Sequence, residues 1–128
     1  MNPNFRHLSH TDLAGADFEM IPDPVIVTDE GGRITYGNSA VTRVTGFPQR
    51  EFIGKTPGSL WGNLRDEGFY QDMWETLILN GQPFESYMTN RKNDGQFFGC
   101  TLKIYPVPGT ATEPARFVGI MFDITEAN

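Results

Sequence analysis

The clearest periodicity in the chain begins after Asp66, where Phe69, Met73 and Leu77 form one row and Tyr70, Trp74 and Ile78 a second row beside it. Residues four apart stack on one face of a helix, so the two rows predict an amphipathic helix with a broad apolar stripe, stopped by Asn80-Gly81. Such a stripe needs an apolar surface to lie on. Three stretches of alternating character supply one: "QPFESYMTNRK", "QFFGCTLKIYPV" and "RFVGIMFDIT". A period of two is that of a strand with one buried face, and the intervening "NDG" has the turn chemistry of a hairpin.

The first half of the chain is less regular. Leu13, Ala16, Met20 and Ile21 recur near helical spacing and predict a short helix from Ser9 or Thr11 to about Met20, ended by "IPDP", because a residue ahead of proline is pushed out of the helical region. "VIVTD", "EGG" and "RITYGN" read as strand, turn and strand. "NSAVTRVTGF" predicts a helix capped by Asn38 or Ser39 and ended by Gly46, and "PQREFIG" one further turn. "GKTPGSLWGN" reads as irregular chain: Gly54, Pro57 and Gly58 let it turn, and Trp61 closes the rim of a pocket or packs on the core. Two strands, several helices and three strands make an α+β domain, an antiparallel sheet with its helices on one face.

Composition narrows the function classes. The 128 residues fit one domain, and the single cysteine, Cys100, excludes an internal disulfide. The net charge is −6 and the basic residues are scattered, which argues against nucleic-acid binding. No segment approaches the roughly 20 apolar residues of a membrane span. The start, "MNPNFRHLSH", has no apolar signal region, so a cytoplasmic location is the expectation. His7 and His10 precede any recognisable core, and no CxxC or HxxxH spacing marks a metal site. Nothing resembles a nucleophile elbow or a Walker loop, so no catalytic residue is assigned and the domain is read as non-catalytic.

"PVIVTDEGGRITYGNSAVTRVTGF", "EFIGKTP", "FYQDMWETLILNGQPFESYMTNRKNDGQFF" and "FVGIMFDITE" resemble, in order, the successive signatures of a PAS domain. The resemblance places that domain at residues 23–126, behind an N-terminal flanking helix or cap at residues 1–22. It implies a five-stranded antiparallel sheet in the order 2-1-5-4-3, with short helices enclosing a pocket. It implies a sensory role in a signal-transduction protein: a small molecule binds, and the signal passes to a linked output domain. Such outputs are histidine kinases of two-component systems, cyclic-dinucleotide enzymes or transcription factors, and none of their motifs is present in this chain. The alternative is a ligand-free dimerisation or protein-interaction module.

The same resemblance sorts the cofactors. Flavin-binding domains of the LOV type carry a reactive cysteine in the segment that aligns with "GKTPGSLWGN", and here Pro57 stands at that place. Their flavin-fixing amides match Asn90, Cys100 and Met121, of which only Asn90 is an amide. Haem-binding relatives use a histidine on or near the long helix, and the stretch from Asp66 to Asn80 has none. A LOV-type adduct and haem are therefore disfavoured, and the ligand is unassigned. With Asn90 inward, alternation puts Phe84, Ser86 and Met88 inward beside it, Phe98, Cys100, Leu102 and Ile104 inward on the next strand, and Phe117, Gly119 and Met121 inward on the last. The candidate pocket residues are Trp61, Met73, Ser86, Met88, Asn90, Cys100, Leu102 and Met121. Val118, Ile120 and Phe122 then form an apolar outer patch that needs cover. Either the N-terminal helix supplies it through Leu13 and Met20, or a second copy does so in a homodimer. Asp123 resembles the residue through which the family links its last strand to the output.

Overall fold

The computed structural model describes residues 17–62 and 64–126. Strands β1 (Val25–Thr28) and β2 (Ile34–Gly37) are followed by helices α1 (Ser39–Thr45), α2 (Gln49–Phe52), α3 (Pro57–Leu60) and α4 (Glu67–Trp74). A π-helical turn, Glu75–Leu79, continues α4, and β3 (Phe84–Arg91), β4 (Phe97–Val107) and β5 (Arg116–Glu126) complete the chain. All strand pairs are antiparallel, in the order β2-β1-β5-β4-β3. This is the sheet order that the resemblance implied. The first and last strands meet at its centre, where Val25 faces Ile120 and Val27 faces Val118. Among the described residues no helix is long and apolar enough to cross a membrane.

Local chemistry explains most of the joints. In the β1–β2 turn the Asp29 carboxylate accepts from the Gly31 and Arg33 N–H groups at 2.9 and 3.0 Å, and Gly32 takes a φ of +85°. A residue without a Cβ adopts that left-handed conformation at no steric cost. The stretch "GKTPGSLWGN" is more ordered than expected, since it contains α3. Thr56 accepts from the Ser59 N–H at 3.3 Å and Pro57 takes the first helical position, where its missing N–H costs nothing. Ahead of α3, the Gly54 N–H donates to the Ile34 carbonyl and the Ile34 N–H to the Lys55 carbonyl, both at 2.8 Å. These bonds fasten the segment to the edge of β2.

Three expectations change. Asn38 sits at the N-cap of α1 but makes no capping bond. Its side chain is 1% exposed and serves the segment before β1 instead: Oδ1 accepts from the Val25 N–H at 3.0 Å, and Nδ2 donates to the carbonyls of Phe18, Ile21 and Asp23 at 2.9, 3.3 and 2.9 Å. The Ser39 N–H donates to the Glu19 carboxylate at 2.6 Å, which caps α1 from outside. The long apolar stripe also fails at its end, because the π-helical turn adds a residue per turn and rotates the side chains within it off the α-helical rows. Leu77 stays buried, whereas Ile78 is 58% exposed. Of the segment expected to form the N-terminal helix, everything up to residue 16 lies outside the described residues, and the described part is a single 3-10 turn, Phe18–Met20, capped by the Asp17 side chain. Leu13 lies outside the described residues.

The sheet buries both faces at its centre, where all four residues of β1 are buried, whereas the outer face of β3 is exposed. On the outer face Val118, Ile120 and Phe122 are buried in one cluster with Ile21, Tyr105 and Val107, against which Phe18 and Tyr36 pack. The expected patch is thus covered within the single chain, and it gives no ground for a second copy. Met20 does not take part in that cover, since it is 77% exposed; its neighbours Phe18 and Ile21 do. On the inner face Ile26, Met88, Phe98, Cys100 and Met121 pack against Val41, Phe52 and Trp61 from the helical side.

Candidate functional site

Between the inner face of the sheet and the helical side lies a cavity of about 360 Å³. Its floor is Ile26 of β1, Met88 and Asn90 of β3, Leu102 and Ile104 of β4, and Phe117, Gly119 and Met121 of β5. Leu102 stands opposite Met121 and Ile104 opposite Gly119, so these four share one face of adjacent strands. The walls are Thr56 to Gly58, Trp61 and Gly62 around α3, and Tyr70, Met73, Trp74 and Leu77 from α4 and its π-helical turn.

Two features hold this space open. Gly119 leaves the centre of the floor without a side chain: a Cβ there would lie 3.4 Å from Ile26 Cγ1 and 3.7 Å from Leu102 Cδ1. Rigid aromatic contacts brace the walls. Trp61, 2% exposed, meets Phe52 edge-on at 6.4 Å and Phe47 at 6.0 Å, and its carbonyl accepts from the Arg91 N–H at 2.8 Å. Trp74 stands edge-on to Phe117 at 5.4 Å and reaches over Gly32, where a Cβ would lie 3.5 Å from its ring. Such pairs add about 0.5–1.5 kcal/mol beyond their buried area.

The lining is apolar and uncharged, with no Asp, Glu, Lys, Arg or His among its described residues. Its polar side chains differ in how far they are satisfied. Thr28 donates to the Asp29 carbonyl at 3.0 Å and Thr56 accepts from Ser59. The Asn90 amide nitrogen has the Cys100 sulfur at 3.7 Å, a weak acceptor. Tyr70 Oη is buried with no partner.

Six of the expected pocket residues line the cavity: Trp61, Met73, Met88, Asn90, Leu102 and Met121. Ser86 and Cys100 do not. At the start of β3 Phe84 packs edge-on to Phe69 at 5.5 Å, and the Ser86 hydroxyl donates to the Tyr87 carbonyl at 3.4 Å. Cys100 is fully buried behind Asn90, and burial pushes its thiol up to about 12. Sequence reasoning passed over Tyr70, although a hydroxyl within an apolar row was a signal for it. Pro57 does line the cavity. Asp123 lies two residues beyond Met121, exposed, with a φ of +51°, where the β4–β5 register shifts between Gly99 and Thr101. Among the described residues no group of three or more His, Cys, Asp and Glu could hold a metal ion; His7 and His10 lie outside them.

Known proteins show the same architecture. The PAS domain family profile matches residues 22–126. The nitrogen fixation regulatory protein of Klebsiella pneumoniae is 30% identical over 101 residues, 79% of this chain and 20% of that protein. The blue-light-activated histidine kinase of Rhizobium johnstonii is 28% identical over 120 residues, 90% of this chain and 34% of that protein. The chain therefore spans about a fifth to a third of these relatives. Among solved structures, the PAS domain of a Colwellia psychrerythraea protein superposes with a TM-score of 0.73 at 19% identity, over 91% of this chain and 98% of that one. The LOV domain of a blue-light-activated histidine kinase from Erythrobacter litoralis gives 0.66 at 22% identity, over 84% and 98%. Identities this low establish the shared fold alone.

Proposed function

This chain belongs to the PAS domain family, and from that premise we propose that it is a non-catalytic sensory module of a larger signalling protein. It holds a small molecule in the cavity between sheet and helices and relays occupancy to a covalently linked output domain. The observation that carries this reading is the cavity itself: about 360 Å³, braced by Trp61 and Trp74 and floored by Gly119, within the range of roughly 300–1,000 Å³ typical of ligand sites. An uncharged lining offers neither a general base nor a nucleophile, which supports binding over catalysis. The relatives are much longer than this chain, one a regulator and one a histidine kinase by name, which supports an output of that kind. Met121 touches the cavity and Asp123 follows it on the same strand. Movement of Met121 would reach the chain end through the bulge at Asp123, the output position in this reading.

Light sensing through a cysteinyl adduct is not carried over from the kinase relative. The wall position is Pro57, and Cys100 is buried as a neutral thiol away from the cavity. The ligand-free dimerisation reading has less support, because it calls for a filled pocket and a bare outer face, whereas Val118 and Ile120 are each 0% exposed in the single chain. Native mass spectrometry with an absorbance spectrum on freshly purified protein tests the proposal. A retained small mass supports it; a bare mass that no small apolar molecule can change contradicts it.

A further inference from the structure

We propose that the cavity selects an uncharged, largely apolar molecule carrying a carbonyl-type acceptor, which takes the hydrogen bond of Tyr70. This rests on the sensory reading above and specifies its ligand class. An ionised carboxylate or phosphate moved into the cavity would meet no cation among the described lining residues, and burying an unpaired charge is among the costliest steps a binding site can impose. Anionic ligands are thereby rejected.

A buried hydroxyl normally has a partner, because leaving one unmade costs about 1–3 kcal/mol. Tyr70 Oη is the buried side-chain polar atom among the described residues that lacks one, and Tyr70 lines the cavity. The Asn90 amide, 3% exposed, has only a sulfur acceptor at 3.7 Å for its nitrogen. Thr28 already donates its hydroxyl to the Asp29 carbonyl, and Thr56 already accepts from the Ser59 N–H. The Tyr70 hydroxyl and the Asn90 amide nitrogen are thus donors on the cavity lining with no oxygen or nitrogen acceptor among the described residues, and a ketone or quinone oxygen on an aromatic frame is a chemistry that meets them. The lining itself is aromatic and thioether: Trp61, Trp74, Phe117, Met73, Met88 and Met121, groups that contact flat π-systems well.

Calorimetric titration of the chain with three probes of equal frame tests this: 2-acetylnaphthalene, 2-ethylnaphthalene and 2-naphthoate. The ketone is expected to bind tightest and the carboxylate at least about 100-fold more weakly than the ketone. Tyr70→Phe should weaken the ketone about fivefold, the equivalent of one net hydrogen bond, and leave the ethyl compound unchanged. The same variant should melt at or above the wild-type temperature without ligand, because it removes an unpartnered hydroxyl; this separates lost recognition from lost folding. Equal binding of ketone and ethyl compound in both proteins, or tight binding of naphthoate, overturns the ligand class and leaves the sensory reading intact. Binding of none of the three overturns both.

Discussion

Replacing Asn38 by alanine probes the joint between the lead-in segment and the sheet. Four hydrogen bonds end on this one side chain, one accepted from Val25 and three donated to the carbonyls of Phe18, Ile21 and Asp23. The amide nitrogen has two hydrogens for three acceptors, so about three independent bonds are lost. At roughly 1 kcal/mol net each, with some added cost for the Val25 N–H left buried, the destabilisation is about 3–4 kcal/mol. For a domain of this size that lowers the melting temperature by about 12–16 °C. Thermal and urea denaturation followed by circular dichroism read it, with an unchanged urea slope to certify two-state behaviour. Asn38→Asp should do no better, because it keeps the acceptor for Val25 but turns a second oxygen toward three carbonyls. A loss below about 1 kcal/mol for Asn38→Ala, or Asp restoring wild-type stability, would refute the assignment of Asn38 as the tie between lead-in and sheet.

The cavity and its surroundings give three further expected outcomes. Gly119→Val puts branched carbons on the cavity floor beside Ile26 and Leu102; calorimetry should show naphthalene probes bound at least about tenfold more weakly, since overpacking costs about 1–3 kcal/mol. Cys100, raised to about 12 by burial, should react with a chromogenic disulfide at pH 8 at least about 100-fold more slowly in the folded protein than in urea. A raised acid favours the neutral form in the fold, so its contribution to stability is present below about pH 8.5, where the unfolded thiol is half-ionised, and is lost as pH rises from there toward 12. Protein mixed with free flavin should show no reversible bleaching under blue light, because no thiol is found among the described lining residues.

Much of this architecture was legible because its signals are periodic. The family resemblance turned Asn90 inward, alternation then put Met88, Leu102 and Met121 on the same face, and all four line the cavity floor. The features that stayed hidden depend on tertiary partners. Asn38 looked like a helix cap, yet its partners lie 13 to 20 residues away in sequence, so no local rule finds them. Ser86 keeps the strand parity of Met88 and Asn90 but does not line the cavity, because parity does not tell how far along a strand a cavity extends. Ile78 followed the helical row until the π-helical turn rotated it outward. The short helix α3 had its signal in Thr56 and Pro57, cap and first position, but the surrounding glycines masked it.

The central claim is that small molecules bind between sheet and helices, and methionine methyl NMR tests it directly. Met73, Met88 and Met121 line the cavity, while Met20 is exposed and apart from it. Titrating 2-acetylnaphthalene, or its ethyl analogue, into protein carrying ¹³C-labelled methionine methyls should shift Met73, Met88 and Met121 and leave Met20 in place. Shifts confined to Met20, or none at any of the four at saturating probe, would contradict the account.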